Sequence, residues 1–267
     1  MSIRYEKHGA IARVTFDRPD VRNALDPEAI VRLAEAWRDF AADRELRVAI
    51  ITGAGDDSFC SGADLARLIP LFTGGRQVED EWDRRLFDDP SQMQVALIRD
   101  FELYKPVVAA VNGHCIAGGM EILQATDIRV AASTATFGLQ EAKWGLFPAS
   151  GSSVRLARQI PYSLAMEILL TGERITAEEA WRIGLVNRVV PPGQVQDEAE
   201  RYARLLADAG PLAVRKIKES VLKTWGKPLP EALAIESNLA MEVFASRDAR
   251  EGPRAFKEKR KPNFRGE

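Results

Sequence analysis

Three short apolar segments constrain the fold of this chain more than any other feature. The segments "RVAIITGAG" (47–55), "KPVVAAVNG" (105–113) and "DIRVAA" (127–132) are nearly continuous apolar runs, and the first two end in glycine. Runs of this kind are typical of strands that are buried on both faces, as in a parallel sheet. Segments with helical spacing separate them, so the sequence predicts an α/β fold with much parallel pairing.

The remaining elements divide the chain into two regions. A helix is predicted after Asp26, an N-cap residue that is followed by Pro27 in the first turn. We expect residues 1–191 to form the core, with a mainly helical, charged insertion at 66–104. Strand patterns then stop, and residues 192–267 contain only amphipathic helices separated by glycine and proline, which predicts a C-terminal helical region.

Composition excludes several classes of function. The 267 residues carry a formal charge of -2, which gives no general attraction to nucleic acid or to anionic membranes. No apolar run approaches the ~18 residues of a membrane span, and the first ten residues are too polar for a signal peptide. Cys60 and Cys115 form no CxxC motif, and the two histidines, His8 and His114, belong to no metal-ligand cluster. These features predict a soluble cytoplasmic protein without a metal site.

Two strand ends carry the residues that suggest chemistry. "ITGAGDDSFCSGADL" (51–65) and "VNGHCIAGGMEIL" (111–123) each leave a buried strand through a turn of small residues and enter a helix. Two such turns facing each other would direct two backbone N–H groups at one oxygen, which stabilises a developing oxyanion. Either turn alone is better explained as a tight strand–helix connection, because glycine-rich turns of this kind are common. "GAGDDSF" lacks the third glycine of a GxGxxG motif, so a dinucleotide site has little support.

Two glutamates lie in apolar surroundings near these turns. Glu121 follows the glycines of "AGGME", and Glu141 lies among small and apolar residues in "FGLQEAKW". A salt-bridged or solvated role would explain either residue alone. Together they are a candidate acid–base pair, because two close carboxyls do not ionise equally easily and one tends to keep a proton. Such a pair could hold a water molecule beside the proposed oxyanion site.

The chain resembles the crotonase superfamily, the enoyl-CoA hydratase/isomerase family, over nearly its whole length. The matching segments, in order, are "RPDVRNAL", "FCSGADL", "NGHCIAGGMEI", "FGLQEAKWGLFP", "LLTGERITAEEAWRIGLVNRVVP" and "EGPRAFKEKRKPNF". The resemblance implies a spiral of repeated ββα units and a C-terminal helical trimerisation region. It also implies trimers, often paired into hexamers, that act on acyl-CoA thioesters and need no cofactor, since CoA is part of the substrate.

The resemblance also implies roles for individual residues. The N–H groups of Ser61 and Gly118 would stabilise the thioester enolate. Glu121 would position and activate water, and Glu141 would protonate the α-carbon, which predicts an enoyl-CoA hydratase, a hydro-lyase of EC 4.2.1 type. Positions that match CoA-contacting residues are Arg22, Ala24, Ala63, Asp64, Leu65 and, toward a neighbouring subunit, Phe256 and Lys259.

Departures from the family pattern leave the substrate open. Gln140 replaces a common proline before the second glutamate, and a turn that is usually rich in glycine reads "PASGSS", with Ala149 and Ser152 at glycine positions. These changes predict an altered pocket beside the acyl chain. The insertion at 66–104 is expected to line the same pocket.

Alternative functions remain at this stage. A Δ3,Δ2-enoyl-CoA isomerase of the same family can work with one glutamate, so the presence of both favours hydration. A specialised acyl-CoA dehydratase and a non-catalytic acyl-CoA-binding member are further alternatives. From another class, the basic tail "RAFKEKRKPNFRG" could bind RNA, although the overall negative charge favours a solvated or intersubunit tail.

Overall fold

The three apolar segments form neighbouring parallel strands, which confirms the predicted α/β class. The computed structural model describes residues 1–267. Its strands are β1 (Ile3–His8), β2 (Ile11–Phe16), β3 (Val48–Gly53), β4 (Ser58–Cys60), β5 (Val107–Val111), β6 (His114–Ile116), β7 (Ile128–Ala132), β8 (Thr136–Gly138), β9 (Ile175–Thr176) and β10 (Arg188–Val190).

The strands form two sheets, and the chain alternates between them. The larger sheet has the order β1-β2-β3-β5-β7-β10, and the smaller has the order β4-β6-β8-β9. All pairs are parallel except β1–β2 and β8–β9. Three successive units, β3–β4, β5–β6 and β7–β8, each place one strand in each sheet. This repetition is the predicted spiral of ββα units.

Twelve α-helices accompany the two sheets. They are α1 (Pro27–Ala42), α2 (Ile69–Thr73), α3 (Glu81–Asp88), α4 (Ser91–Ala96), α5 (Gly118–Leu123), α6 (Ser152–Gln159), α7 (Tyr162–Thr171), α8 (Ala177–Arg182), α9 (Val195–Asp208), α10 (Pro211–Thr224), α11 (Leu229–Ala245) and α12 (Asp248–Lys257). None of them combines the length and the apolar content that crossing a membrane requires. One of them, α5, is buried at every residue.

Helix α1 forms for the reasons that the sequence gives. The Asp26 carboxylate accepts a hydrogen bond from the Ala29 N–H at 2.8 Å, and Pro27 occupies the first helical position. The apolar face of α1 is buried, and the Trp37 indole N–H donates to the Ala96 carbonyl at 3.0 Å. That bond fixes α4, in the insertion at 66–104, against the core.

The C-terminal helices do not form one uniform region. Helix α9 packs against β3, β5 and β7, and its residues Val195, Ala199 and Ala203 belong to the hydrophobic core. The core therefore extends past residue 191 to about residue 208, because α9 covers the larger sheet. Beyond it, α10 to α12 leave a series of large apolar side chains at least half exposed: Ile217, Val221, Leu229, Leu233, Met241, Phe244 and Phe256.

Candidate active site

A cavity of about 720 Å³ lies where the two small-residue turns meet. Both predicted glutamates and both predicted N–H residues, Ser61 and Gly118, contribute to its wall. The insertion at 66–104 supplies much of the remaining lining, through the residues Leu68, Ile69, Phe72, Thr73, Pro90, Met93, Gln94, Leu97 and Arg99. The wall is mostly apolar with a few polar groups, as in sites that bind small molecules.

The first turn presents the N–H of Ala63 rather than that of Ser61. An isolated parallel bridge pairs Leu25 with Ala63: the Leu25 N–H donates to the Gly62 carbonyl and the Asp64 N–H donates to the Leu25 carbonyl, both at 2.8 Å. In this pattern the N–H of the central residue points to the opposite side. The Ala63 N–H accordingly has no partner within the chain.

The prediction that the Ser61 N–H is free is wrong. It donates to the Arg22 carbonyl oxygen at 3.1 Å, so this donor is already satisfied within the chain. Alternate residues of an extended segment point their N–H groups to opposite sides, so the pairing of Ser61 toward Arg22 and the freedom of Ala63 follow from one geometry.

The second turn presents the N–H of Gly118, which opens α5 as predicted. The first N–H groups of a helix have no intrahelical acceptor, and that of Gly118 has no other partner within the chain. The preceding residue, Ala117, adopts φ 52° and ψ -122°, a backbone conformation that costs ~1–3 kcal/mol for a residue with a side chain. With this conformation, Ala117 forms the turn that leads from β6 into α5.

The two turns are in contact. A Cβ atom placed on Gly62 would lie 2.9 Å from the Gly118 nitrogen and 2.6 Å from the Ala117 Cβ. A Cβ placed on Gly118 would lie 3.7 Å from the Ala63 nitrogen. The close approach of the backbones therefore requires glycine at position 62, which also has a positive φ of 90°, whereas the contacts of a Cβ on Gly118 would be ordinary van der Waals contacts. The free N–H groups of Ala63 and Gly118 border the same small space.

Glu121 is held by the backbone of a third turn. Its Oε1 atom accepts hydrogen bonds from the Ser150 N–H at 2.7 Å and from the Ser152 N–H at 3.3 Å. Burial raises the pKa of this carboxyl, and the N–H groups of Ser152 and Ser150 and the charge of Arg155 oppose that shift. Donors to the ionised form keep this carboxyl the more readily ionised of the pair.

Glu141 has the opposite surroundings. It lies at the start of a short 3₁₀ helix (Glu141–Trp144), and its Oε2 atom is buried without a hydrogen-bond partner. Burial, together with the nearby charge of Glu121, raises the pKa of Glu141 to about 7. A buried carboxyl oxygen without a hydrogen-bond partner favours the protonated form. The pair thus combines one carboxyl whose backbone donors favour its ionised form with one whose burial favours its protonated form.

The arrangement suits addition of a nucleophile to a polarised double bond, and comparison with known proteins points to the same chemistry. Residues 6–267 match the family model for "Enoyl-CoA hydratase/isomerase". The chain belongs to this family.

It is 46% identical to the enoyl-CoA hydratase EchA19 of Mycobacterium tuberculosis over 97% of this chain and 94% of the relative. It is 36% identical to the (E)-benzylidenesuccinyl-CoA hydratase of Thauera aromatica, with both chains fully covered. The crystal structure of another M. tuberculosis enoyl-CoA hydratase superposes with a TM-score of 0.88 at 35% identity, covering 100% of this chain and 99% of that one.

The residues that match CoA-contacting positions of the enoyl-CoA hydratase/isomerase family fall into two groups. Those near the N-terminus all line the cavity: Arg22, Ala24, Ala63, Asp64 and Leu65. The Asp64 carboxylate is occupied within the chain, because it accepts from Arg18 at 3.0 Å and from the Ala66 N–H at 3.0 Å. Phe256, at 88% exposure, and Lys259 lie outside this cavity.

The sequence did not reveal the N–H groups of Ser150 and Ser152. The sequence predicts only that the turn "PASGSS" alters the pocket beside the acyl chain. In the structure, two backbone N–H groups of this turn donate to the Glu121 carboxyl. The available signal was Gly151, which adopts φ +119° between the two serines and so marks an unusual backbone before α6. Gln140 accepts from Arg174 at 3.0 Å and lines the cavity next to Glu141.

Proposed function

We propose that this protein is an enoyl-CoA hydratase, which adds water reversibly and with syn stereochemistry to a trans-2-enoyl-CoA thioester. The observation that carries the proposal is the unequal carboxyl pair beside two free N–H groups. Glu121, held by two backbone donors, accepts a proton from water, and Glu141 supplies a proton to the α-carbon. The N–H groups of Ala63 and Gly118 bind the thioester oxygen as negative charge develops on it.

The direct test is turnover on a panel of CoA esters. Loss of the conjugated enoyl-thioester absorbance should be followed with short, long, aromatic and sterol-derived trans-2-enoyl esters. Hydration of at least one ester, with the 3-hydroxy product identified by mass spectrometry, is expected. If no ester is hydrated but a 3-enoyl ester is converted to its 2-enoyl isomer, the protein is an isomerase and the role of Glu121 is wrong.

We also propose that the cavity binds the pantetheine end of CoA between the turn around Arg22 and residues 63–65. The support is that Arg22, Ala24, Ala63, Asp64 and Leu65 line the cavity next to the free N–H groups. The acyl chain then extends toward the mainly apolar insertion at 66–104.

The same proposal includes a homotrimer, or a dimer of trimers, in which Phe256 and Lys259 contact the CoA of a neighbour. The apolar side chains left exposed on α10 to α12 support it, since exposed patches of this kind mark interaction surfaces. Light scattering at micromolar concentration should give a trimer or hexamer, and a stable monomer would contradict the assembly. Lys259→Ala should raise KM about three- to tenfold with kcat unchanged, while the exposed Lys257→Ala serves as the matched control.

RNA binding has little support from the tail. Arg260 is paired with Glu251 and Glu258, and Arg254 is paired with Glu258. These pairs reduce the positive charge that is free to contact phosphate. Saturable retention of RNA on a nitrocellulose filter at physiological salt would revive this alternative. A cytoplasmic location is also proposed, because Cys60 and Cys115 are both free thiols and buried, which suits a reducing compartment.

A further inference from the structure

Arg155 is a partly buried cation close to the carboxyl pair, and the proposed reaction does not use it. It lies on α6, one turn after the residues that bind Glu121. Its Nη2 atom donates to the carbonyl oxygens of Ile98 at 2.5 Å and of Arg99 at 3.3 Å. Its Nη1 atom is buried without a hydrogen-bond partner. A guanidinium in this position needs an explanation, because burying a charge with unsatisfied donors is costly.

The segment that Arg155 contacts is the C-terminus of α4. The Ile98 N–H donates to the Val95 carbonyl and the Arg99 N–H to the Gln94 carbonyl, which together form a Schellman motif. The motif requires a left-handed residue, usually glycine, but Ile98 occupies it with φ +47°. A β-branched residue is strained in this conformation. Bonds from Arg155 to the two carbonyls that follow the helix hold the strained end in place.

Arg155 also contacts the turn on the opposite side, which positions Glu121. A Cβ atom on Gly151 would lie 3.2 Å from its Nη1 atom, so the guanidinium packs directly over this turn. The neighbouring residues Ser150 and Ser152 donate to the Glu121 carboxyl. On the α4 side, Met93, Gln94, Leu97 and Arg99 line the cavity.

We propose that Arg155 is a positioning residue that connects the α4 wall of the cavity to the turn that orients the Glu121 carboxyl. This inference rests on the proposed hydratase function for its kinetic part only. An acyl chain bound against α4 then contacts a wall that the Arg155 guanidinium also connects to the turn that orients Glu121. The binding position of the acyl group and the orientation of the Glu121 carboxyl are thereby coupled.

The charged groups around Arg155 predict how its replacement changes the pH dependence of the reaction rate. Glu121 faces Glu141 and the charge of Arg155, while Arg155 also faces Asp100 and Arg99. The positive charge of Arg155 favours the ionised form of Glu121. Loss of that charge, and of the hold on the turn that donates to Glu121, should therefore move the acidic limb of the pH–rate profile to higher pH, whereas a loss of stability alone would not shift that limb.

Two variants and one matched control test the proposal. Arg155→Gln should lower kcat about 10–100-fold and shift the acidic limb upward. Arg155→Lys keeps the charge but loses the planar fork, so it should lose part of kcat with a smaller shift of the limb than in Arg155→Gln. Arg158→Gln on the same helix is the control, because Arg158 is exposed and donates only to Val154 of its own helix. The control should match the wild type.

Hydrogen–deuterium exchange separates this inference from the proposed function. Peptides covering 91–99 and 149–152 should both exchange faster in the Arg155 variants and not in Arg158→Gln, whether or not a substrate has been found. Unchanged exchange in either segment would overturn the connection. With a turnover substrate in hand, a wild-type kcat and an unmoved acidic limb in Arg155→Gln would also overturn it. If Arg155→Gln does not fold, Arg155→Lys provides both the exchange and the kcat readouts.

Discussion

The two sides of the cavity are built from different parts of the chain. On one side the groups that face the cavity are backbone N–H groups, from Ala63 and Gly118, and they exist because two turns pack against each other without intervening side chains. On the other side they are the side chains of Glu121 and Glu141, and their properties come from burial and from neighbouring donors.

This difference predicts which kind of substitution should inactivate each side of the cavity. The donor side depends on backbone position, so added volume between the turns should destroy it even though no chemical group is removed. The carboxyl side depends on ionisation, so a change that preserves volume and removes a charge should destroy it. The following predictions, from the largest expected effect to the smallest, test that contrast.

The largest effect is expected from glutamine at either carboxyl. Glu121→Gln or Glu141→Gln keeps the shape and removes the acid–base function, so kcat should fall by about 10²–10⁴ with CoA-ester binding nearly intact. The double variant should be little worse than the worse single one, since both residues act on one water. Glu173→Gln is the control, because Glu173 is exposed and pairs only with Lys143. Near-wild-type hydration in Glu121→Gln would leave Glu141 as the sole acid–base residue.

The next largest effect is expected from one methyl group on the donor side. In Gly62→Ala the new Cβ would overlap Ala117 and crowd the Gly118 nitrogen, which separates the two donors. Loss of one oxyanion donor costs about 10²–10³ in kcat. Gly55→Ala is matched, because Gly55 also has positive φ (74°) but its nearest contact would be 3.5 Å away. Similar activities for the two variants, at similar thermal stability, would refute the assignment of Ala63 and Gly118.

A smaller effect concerns the pH dependence of hydration. Since the pKa of Glu141 is about 7 in the free protein, its acid form is lost above that pH. The value of kcat/KM for hydration should therefore decline about tenfold per pH unit above roughly pH 7. The measurement is the initial rate at low ester concentration from pH 5 to 9. A rate that stays constant through pH 9 would mean that Glu141 is not the proton donor.

The smallest effect concerns stability. Because the pKa of Glu141 is higher in the folded chain than its ordinary value of 4.5, the folded state binds more protons between about pH 4.5 and 7. Stability due to this group is therefore lost as pH rises through that window. Glu141→Gln should raise the free energy of unfolding at pH 8 by ~1–3 kcal/mol relative to the wild type and change it little near pH 4.5. Equal urea midpoints at pH 8 would contradict this.

Most of the fold follows from local patterns. The runs at β3, β5 and β7 are apolar on both faces, which only a covered parallel sheet accommodates, and Asp26 with Pro27 fixes the start of α1. Residues 192–267 also follow a clear helical pattern. That pattern did not show that α9 belongs to the core, because an amphipathic helix presents the same periodicity whether it covers a sheet or another helix.

The sequence predicts the carboxyl side chains of the site, but it does not predict correctly which backbone N–H groups are free. Glu121 and Glu141 stand out because a carboxyl in an apolar stretch is unusual, and both line the cavity. Within the turn at 60–65, however, the sequence does not tell which N–H is free. The bridge between Leu25 and Ala63 decides it, and Leu25 is 38 residues away along the chain.

The sequence alone therefore determined the class of fold, the two turns and the residues able to exchange protons, since these depend on residue type and spacing. Tertiary structure alone decided which N–H groups face the cavity, because a backbone donor is free or occupied according to what packs beside it. It also decided how the surroundings of the two carboxyls differ: Glu121 lies against two N–H donors, whereas the Oε2 atom of Glu141 is buried without a partner, and that contrast favours protonation of Glu141 over Glu121.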